Sequence, residues 1–146
     1  LAPLIALVHL LVHMRLMGQG SRELMLIGGV TLFGFTLDQL LFAVGLFNVN
    51  GQPSLAPLWL SCLWPVLATT LLHAFSGLQK HLLMAAVLGA IGGTLSYLAG
   101  TRLTDVDFAS PVAGPLAIGL LWAALFPLLA RVARSLPLPV AAGAAQ

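Results

Sequence analysis

Charged side chains are scarce in this sequence. Asp, Glu, Lys and Arg make up 7% of its 146 residues, whereas apolar residues make up 60%. A soluble domain needs more charge than this to cover its surface. The net charge of +2 is too small and too dispersed for a nucleic-acid-binding surface, so we expect no nucleic-acid partner. The mean hydropathy of +1.04 is typical of a polytopic membrane protein.

Cysteine and recognisable catalytic motifs are also nearly absent. The single cysteine, Cys62, excludes an intramolecular disulfide and a zinc site built from cysteines. The sequence contains no Gly-rich phosphate loop, no nucleophile elbow and no HExxH pair. We therefore expect no cofactor and favour a non-catalytic protein over an enzyme.

Long apolar runs predict an all-α fold, a polytopic bundle of transmembrane helices. Polar breaks divide the chain into five runs of about membrane-spanning length, at about residues 1–17, 24–47, 55–78, 81–100 and 110–130. Residues 1–134 are predicted to be one transmembrane domain, and residues 135–146 a disordered cytoplasmic tail. The chain begins at Leu1 and not at a methionine, so we expect further residues upstream. If these include one helix, the full protein has six spans.

Basic residues predict the orientation of these spans. Arg102 lies on one side of the five-span arrangement. The other basic residues lie on the opposite side, and they are Arg15, Arg22, Lys80, Arg131 and Arg134. Cytoplasmic loops of membrane proteins are enriched in Lys and Arg, so this distribution predicts a cytoplasmic C-terminus.

Asp38 is the one charged residue inside the long apolar run 24–47. A carboxylate in hydrocarbon is costly, so it usually faces other helices and often has a function. We predict an outward-facing pocket with Asp38 at its floor, Trp64 and Tyr97 on its walls, Arg102 at its mouth and Trp59 near the outer interface. The alternative is a structural Asp38, hydrogen-bonded to Tyr, Thr or Trp across a helix interface.

Small residues recur at helical spacing in the second and fourth apolar runs. Such a pattern allows close approach of two helices and indicates helix packing. The predicted packing positions are Gly34, Gly45, Gly89, Gly93 and Gly100.

Three histidines form a further candidate group. His9 and His13 are four residues apart and share a helix face, and His73 falls at a similar depth. Three histidines could bind a metal, but no carboxylate or cysteine is expected at that depth. We therefore favour packed or interfacial histidines over a metal site.

A family resemblance extends from about Gly28 to Pro127. The residues that carry it are the segment 34–38, Gly45, the segments 57–64 and 68–71, His73, the segment 89–100 around Tyr97, Trp122 and Pro127. This pattern resembles a bacterial inner-membrane family catalogued as domain of unknown function 2878. The resemblance implies a small polytopic inner-membrane protein. Genes of such families often lie beside enzymes that modify membrane fatty acids, which is an association and not a mechanism.

Three functions follow as hypotheses. The favoured one is an accessory or scaffold protein in membrane-lipid (fatty-acid) modification, which holds a membrane lipid or a lipid-modifying enzyme at the Asp38 pocket. The second is a small proton-linked transporter or channel in which Asp38 titrates, and a chain of this size would need to form a homo-oligomer to make a path. The third is an intramembrane lipid-modifying enzyme using Asp38 and His73, although their depths differ by more than ~10 Å.

Overall fold

The computed structural model describes residues 1–18 and 20–135, which are mostly helical. The helices are α1 (Ala2–Leu16), α2 (Ser21–Ala43), α3 (Leu58–Ser61), α4 (Leu63–Leu72), α5 (Leu82–Leu103) and α6 (Ala113–Ser135). A 3-10 turn (Ser76–Lys80) precedes α5, and two strands, β1 (Phe47–Val49) and β2 (Val106–Phe108), pair antiparallel. The predicted tail lies outside the described residues, except that Ser135 is the last residue of α6.

Three helices of the described chain, α2, α5 and α6, are long and apolar enough to cross a membrane. They contain 22 or 23 residues each, which corresponds to about 33 Å or more at 1.5 Å per residue. Large apolar side chains cover their outer faces: Leu83 is 81% exposed and Leu120 is 75% exposed. Such faces are unfavourable in water and are expected against lipid.

The remaining apolar helices are shorter than the predicted spans. Helix α1 and the segment Leu58–Leu72 each contain 15 residues. The predicted third span, 55–78, is divided between α3 and α4 by a break at Cys62. Pro65 explains the break, because it has no N–H and its ring clashes with the carbonyl four residues earlier, that of Ser61. Pro65 instead occupies the first turn of α4, where it is tolerated.

Helix α2 ends at Ala43, four residues before the predicted end of the second span. Gly45 follows with a φ of 75°, and its N–H donates to the carbonyl of Phe42 while the N–H of Leu46 donates to that of Leu41. This pair of hydrogen bonds is a Schellman motif, in which glycine adopts the left-handed conformation with little strain. The motif turns the chain into β1.

The two-stranded sheet is a feature that the all-α prediction missed. Its register pairs Phe47 with Phe108, Asn48 with Asp107 and Val49 with Val106. Each strand has only three residues, too few to produce an alternating pattern that can be recognised in the sequence. The sheet joins the C-terminal end of α2 to that of α5, so both helices end on the same side of the molecule.

Helices α5 and α6 pack antiparallel along most of their lengths. Gly89 lies against Phe126, and Gly93 lies against Trp122. A Cβ at Gly93 would lie 2.3 Å from the Trp122 ring, so no other residue fits there without movement. The chain direction therefore places the C-terminal end of α6 opposite the sheet, near the end of α1 and the start of α2.

Candidate functional site

Asp38 connects three helices through its carboxylate. Its side chain is fully buried in α2, 0% exposed. The indole N–H of Trp64, in α4, donates to Oδ2 at 2.8 Å, and the hydroxyl of Tyr97, in α5, donates to Oδ1 at 3.1 Å. Each carboxylate oxygen thus accepts one hydrogen bond, which offsets part of the cost of burying the group.

Gly34 makes the approach of Trp64 to Asp38 geometrically feasible. It lies one turn before Asp38 on the same face of α2. The Trp64 ring packs directly on it, so that a Cβ at this position would lie 1.8 Å from Cδ2 of Trp64. Trp64 also stacks on Trp122, with ring centroids 5.5 Å apart. The absence of a side chain at Gly34 therefore lets the Trp64 indole pack against both α2 and α6.

An apolar cavity of about 340 Å³ lies on the other side of these aromatic rings. This volume is within the range of small-molecule sites. The lining residues come from α3, α4, α5, α6, both strands and the connection between α4 and the 3-10 turn. They are Phe47, Trp59, Leu60, Leu63, Trp64, Leu67, Phe75, Leu88, Gly89, Gly92, Gly93, Ser96, Tyr97, Gly100, Thr101, Val106, Trp122 and Phe126.

The cavity opens midway along α5. Most of its lining is buried or half-buried, and the exposed lining residues are Leu63, Leu88, Gly92 and Ser96. Three of these four lie in the central turns of α5, far from both ends of that helix. If α5 crosses a bilayer, the opening faces the hydrocarbon core and not the water on either side.

The predicted pocket residues do not all belong to this cavity. Trp59, Trp64 and Tyr97 line it. Asp38 lies behind the rings of Trp64 and Tyr97 and does not line it, because those side chains cover the carboxylate that they hydrogen-bond. Arg102 does not line it either: its side chain is exposed near the end of α5, whereas the exposed lining residues of that helix, Leu88, Gly92 and Ser96, lie earlier in it. Asp38 is therefore not at the floor of this cavity, and Arg102 is not at its mouth.

The predicted packing glycines separate into two kinds. Gly34, Gly89 and Gly93 each face a side chain so closely that a Cβ would clash, and Gly100 is in ordinary contact distance of the Trp59 ring. Gly45 was predicted to pack, but a Cβ there would meet nothing within 4 Å. It serves the turn after α2 instead.

A second buried carboxylate, Glu23, lies in the first turn of α2 with a 0% exposed side chain. Its Oε1 is 2.7 Å from Nε2 of His13 and 3.2 Å from Nε2 of His73. A carboxylate oxygen accepts and cannot donate, so an ionised Glu23 places the proton of each ring on Nε2. The rings of His13 and His73 meet edge to face with centroids 5.0 Å apart. We refer to His13, Glu23 and His73 as the His–Glu cluster.

His9 lies beside this cluster but has a different partner. Its Nε2 is 3.0 Å from Oγ1 of Thr69, and Thr69 donates its own hydroxyl proton to the carbonyl of Val66 at 2.7 Å. The Thr69 oxygen can therefore only accept from His9, which makes His9 the donor. His9 also stacks on His13, with ring centroids 6.1 Å apart.

Glu23 is the residue that the sequence reasoning missed, and the expectation of no carboxylate near the histidines was wrong. Glu23 follows Arg22 and precedes the second apolar run, 24–47, so it lies outside every predicted span. The structure begins α2 at Ser21 and brings the end of α4 against this first turn. An acidic residue in the first turn of a helix was the available signal, because the helix dipole favours it there.

Comparison with known proteins identifies one family. The family described as Protein of unknown function (DUF2878) matches residues 1–128, most of the chain. No curated protein and no solved structure matches the sequence.

Proposed function

The chain belongs to the family described as Protein of unknown function (DUF2878), and we propose that it is an integral membrane protein that binds the acyl chain of a membrane lipid. In this proposal it acts as an accessory protein for an enzyme that modifies membrane fatty acids. The observation that carries the proposal is the apolar cavity that opens midway along α5. An acyl chain is the ligand that such a position would meet at the highest concentration.

The proposed topology has five membrane-crossing segments in the bacterial inner membrane. Helices α2, α5 and α6 are long enough to cross alone. Helix α1 and the pair α3–α4 are shorter, and we propose that they cross with the help of their flanking residues. We propose that the C-terminal end of α6 lies in the cytoplasm, because the two arginines in its last turns, Arg131 and Arg134, lie at the same end as Arg15 and Arg22.

The shape and chemistry of the cavity support an acyl ligand over a polar one. Trp59, Trp64 and Trp122 line it, and at Gly92 a Cβ would meet nothing within 4 Å, so this part of α5 is open. Ser96 and Thr101 are the lining residues that carry an aliphatic hydroxyl, and Tyr97 turns its hydroxyl to Asp38. A polar ligand would leave buried hydrogen-bonding groups unpaired in such a site, whereas an alkyl chain would not.

Filling the cavity tests the proposal directly. In Gly92→Leu the new side chain starts in open space at the cavity mouth, since a Cβ there meets nothing within 4 Å. The matched control is Gly28→Leu, at an exposed position of α2 that also has no atom within 4 Å of a Cβ. Each purified protein would be exposed to a phospholipid carrying a photoactivatable diazirine on its acyl chain. Labelled peptides would then be identified by mass spectrometry.

We expect label on peptides containing Ser96 or Trp122 in the wild-type protein and in Gly28→Leu, and at least tenfold less in Gly92→Leu. Equal labelling of the two variants would overturn acyl-chain binding in the cavity.

The accessory role needs a second measurement, the acyl-chain profile of membranes from a deletion strain carrying each variant. If Gly28→Leu restores the wild-type acyl-chain profile and Gly92→Leu does not, the accessory role is supported. Identical profiles in all strains would refute it while leaving lipid binding intact.

A further inference from the structure

We propose that the His–Glu cluster is a binding site for one divalent transition-metal ion of the zinc type. The site lies at the end of the molecule opposite the sheet. Glu23 and Asp38 are fifteen residues apart on α2, which is about 22 Å along the helix axis. The proposed metal site is therefore separate from the aromatic cavity and does not depend on what that cavity binds.

The positions of the ligand atoms fit a single ion. One ligand atom each of His13, Glu23 and His73, a ring nitrogen or a carboxylate oxygen, lies within 4.8 Å of the other two. Two ligand atoms that each lie about 2.1 Å from a tetrahedral zinc ion are about 3.4 Å apart. The observed separations from Glu23 Oε1, 2.7 Å and 3.2 Å, need to open by less than 1 Å to reach that value.

The chemistry of the ligands selects the class of metal. Two imidazoles and one carboxylate suit zinc, iron, cobalt and related ions, whereas magnesium and calcium prefer sites made only of oxygen. Three protein ligands leave at least one coordination position open, as in metal sites that bind a further small ligand. Binding would displace the proton from Nε2 of each ring and leave each ring protonated on Nδ1.

The surroundings hold the three ligands in place. Their side chains are largely buried, with 7% of His13, 0% of Glu23 and 19% of His73 exposed. They come from three places, the last turn of α1, the first turn of α2 and the residue that directly follows α4. The neighbouring His9 is directed to Thr69 and is not a ligand in this arrangement. The remaining opening at His73 gives an ion a route to the cluster.

Metal binding can be measured on the full chain in detergent, with any affinity tag removed and bound metal stripped by a chelator. Titration with Co²⁺ would be followed by visible absorption, because four-coordinate cobalt absorbs more strongly than the aqueous ion. Zinc would then compete for the same site, and metal content after gel filtration would give the stoichiometry. We expect one ion per chain and a higher unfolding temperature with zinc present.

The variants Glu23→Gln and His73→Gln each remove one ligand. We expect the affinity for Co²⁺ to fall at least ~100-fold in both, the upper end of the loss caused by removing an outer-shell partner of a metal ligand. Two controls are matched to them. Asp38→Asn changes the other buried carboxylate of α2, and His81→Gln changes an exposed histidine. Both controls should bind as the wild type does.

The wild-type protein alone can overturn the proposal. If it retains less than one ion per chain, or if its cobalt spectrum is that of the aqueous ion, the cluster is a hydrogen-bonded triad only. Binding that Glu23→Gln and His73→Gln leave unchanged would also overturn it. If Glu23→Gln does not fold, as judged by gel filtration, the more accessible His73→Gln still decides the outcome.

Discussion

Helix α2 buries two carboxylates, and the side chains around them differ in kind. Asp38 accepts one hydrogen bond on each oxygen, from an indole N–H and a phenol hydroxyl. Glu23 has two imidazoles, and both contact its Oε1. An indole N–H is only a donor, whereas an imidazole can give up its proton and become a metal ligand. The two ends of one helix thus offer different chemistry to the same functional group.

The difference also indicates what each carboxylate does for the fold. Asp38 joins α2 to α4 and α5 in the half of α2 nearer the sheet, next to a cavity lined by aromatic rings. Its hydrogen bonds orient the rings of Trp64 and Tyr97, which form part of the cavity wall. Glu23 joins α1, α2 and the end of α4 at one end of the molecule. We therefore regard Asp38 as a positioning residue for the cavity and Glu23 as a candidate ligand.

The largest loss of stability is expected from a change that disrupts the packing around Asp38 and leaves the His–Glu cluster intact. In Gly34→Ala the new Cβ would lie 1.8 Å from the Trp64 ring, which must move and lose its bond to Asp38. Overpacking and the lost bond together should lower the free energy of unfolding by about 3 kcal/mol. The measurement is unfolding in mixed detergent micelles, with metal content recorded in parallel.

The matched control for this change is Gly28→Ala, on the same helix in open space. Alanine has the higher helix propensity, so Gly28→Ala should be neutral or more stable by up to ~1 kcal/mol. Equal stability of the two variants would mean that Trp64 does not pack against Gly34. A loss of metal binding in Gly34→Ala would mean that the two ends are coupled, contrary to the separation described above.

Structural features could be predicted where one continuous stretch of sequence determines them. The apolar runs predicted the long helices α2, α5 and α6, because an apolar run of about 20 residues is a signal contained in one stretch of sequence. Asp38 was recognisable since it interrupts such a run. Gly34, Gly89 and Gly93 were predicted to pack, although the pattern does not say against which ring.

The sequence was uninformative where distant segments decide the structure. Glu23 lies outside the predicted spans, and it is the end of α4, fifty residues later, that brings His73 against it. Strands β1 and β2 are 57 residues apart in the sequence, counted from Val49 to Val106, and neither is long enough to show a period of two. The break in the predicted third span falls at Cys62, three residues before Pro65, because proline disturbs the turn that precedes it.

A smaller effect is expected when the Asp38 carboxylate becomes an amide. Asparagine at position 38 keeps one acceptor oxygen, so it can satisfy Trp64 or Tyr97 but not both in the present geometry. The free energy of unfolding of Asp38→Asn should fall by about 1–3 kcal/mol. The control is Asp107→Asn, an exposed residue of β2, which should change it by no more than ~0.5 kcal/mol. Equal losses in the two variants would contradict the structural role of Asp38.

The same variant separates lipid binding from proton-linked transport. If Asp38 is a positioning residue, liposomes containing wild-type protein and liposomes containing Asp38→Asn should take up protons at the same rate as empty liposomes. Proton uptake that requires wild-type Asp38 would instead favour the transporter hypothesis. Asp107→Asn again serves as the control for insertion and protein amount.

The smallest effect is expected from Tyr97→Phe, which removes one of the two donors to Asp38. Phenylalanine keeps the ring that stacks on Phe47, with centroids 5.4 Å apart in the wild type, and leaves the bond from Trp64 in place. The free energy of unfolding should fall by about 1 kcal/mol. If the hydroxyl acts through Asp38, the loss should be smaller when Tyr97→Phe is made in Asp38→Asn, since asparagine already leaves one donor unpaired. Full additivity of the two changes would mean that the Tyr97 hydroxyl stabilises the fold through another group.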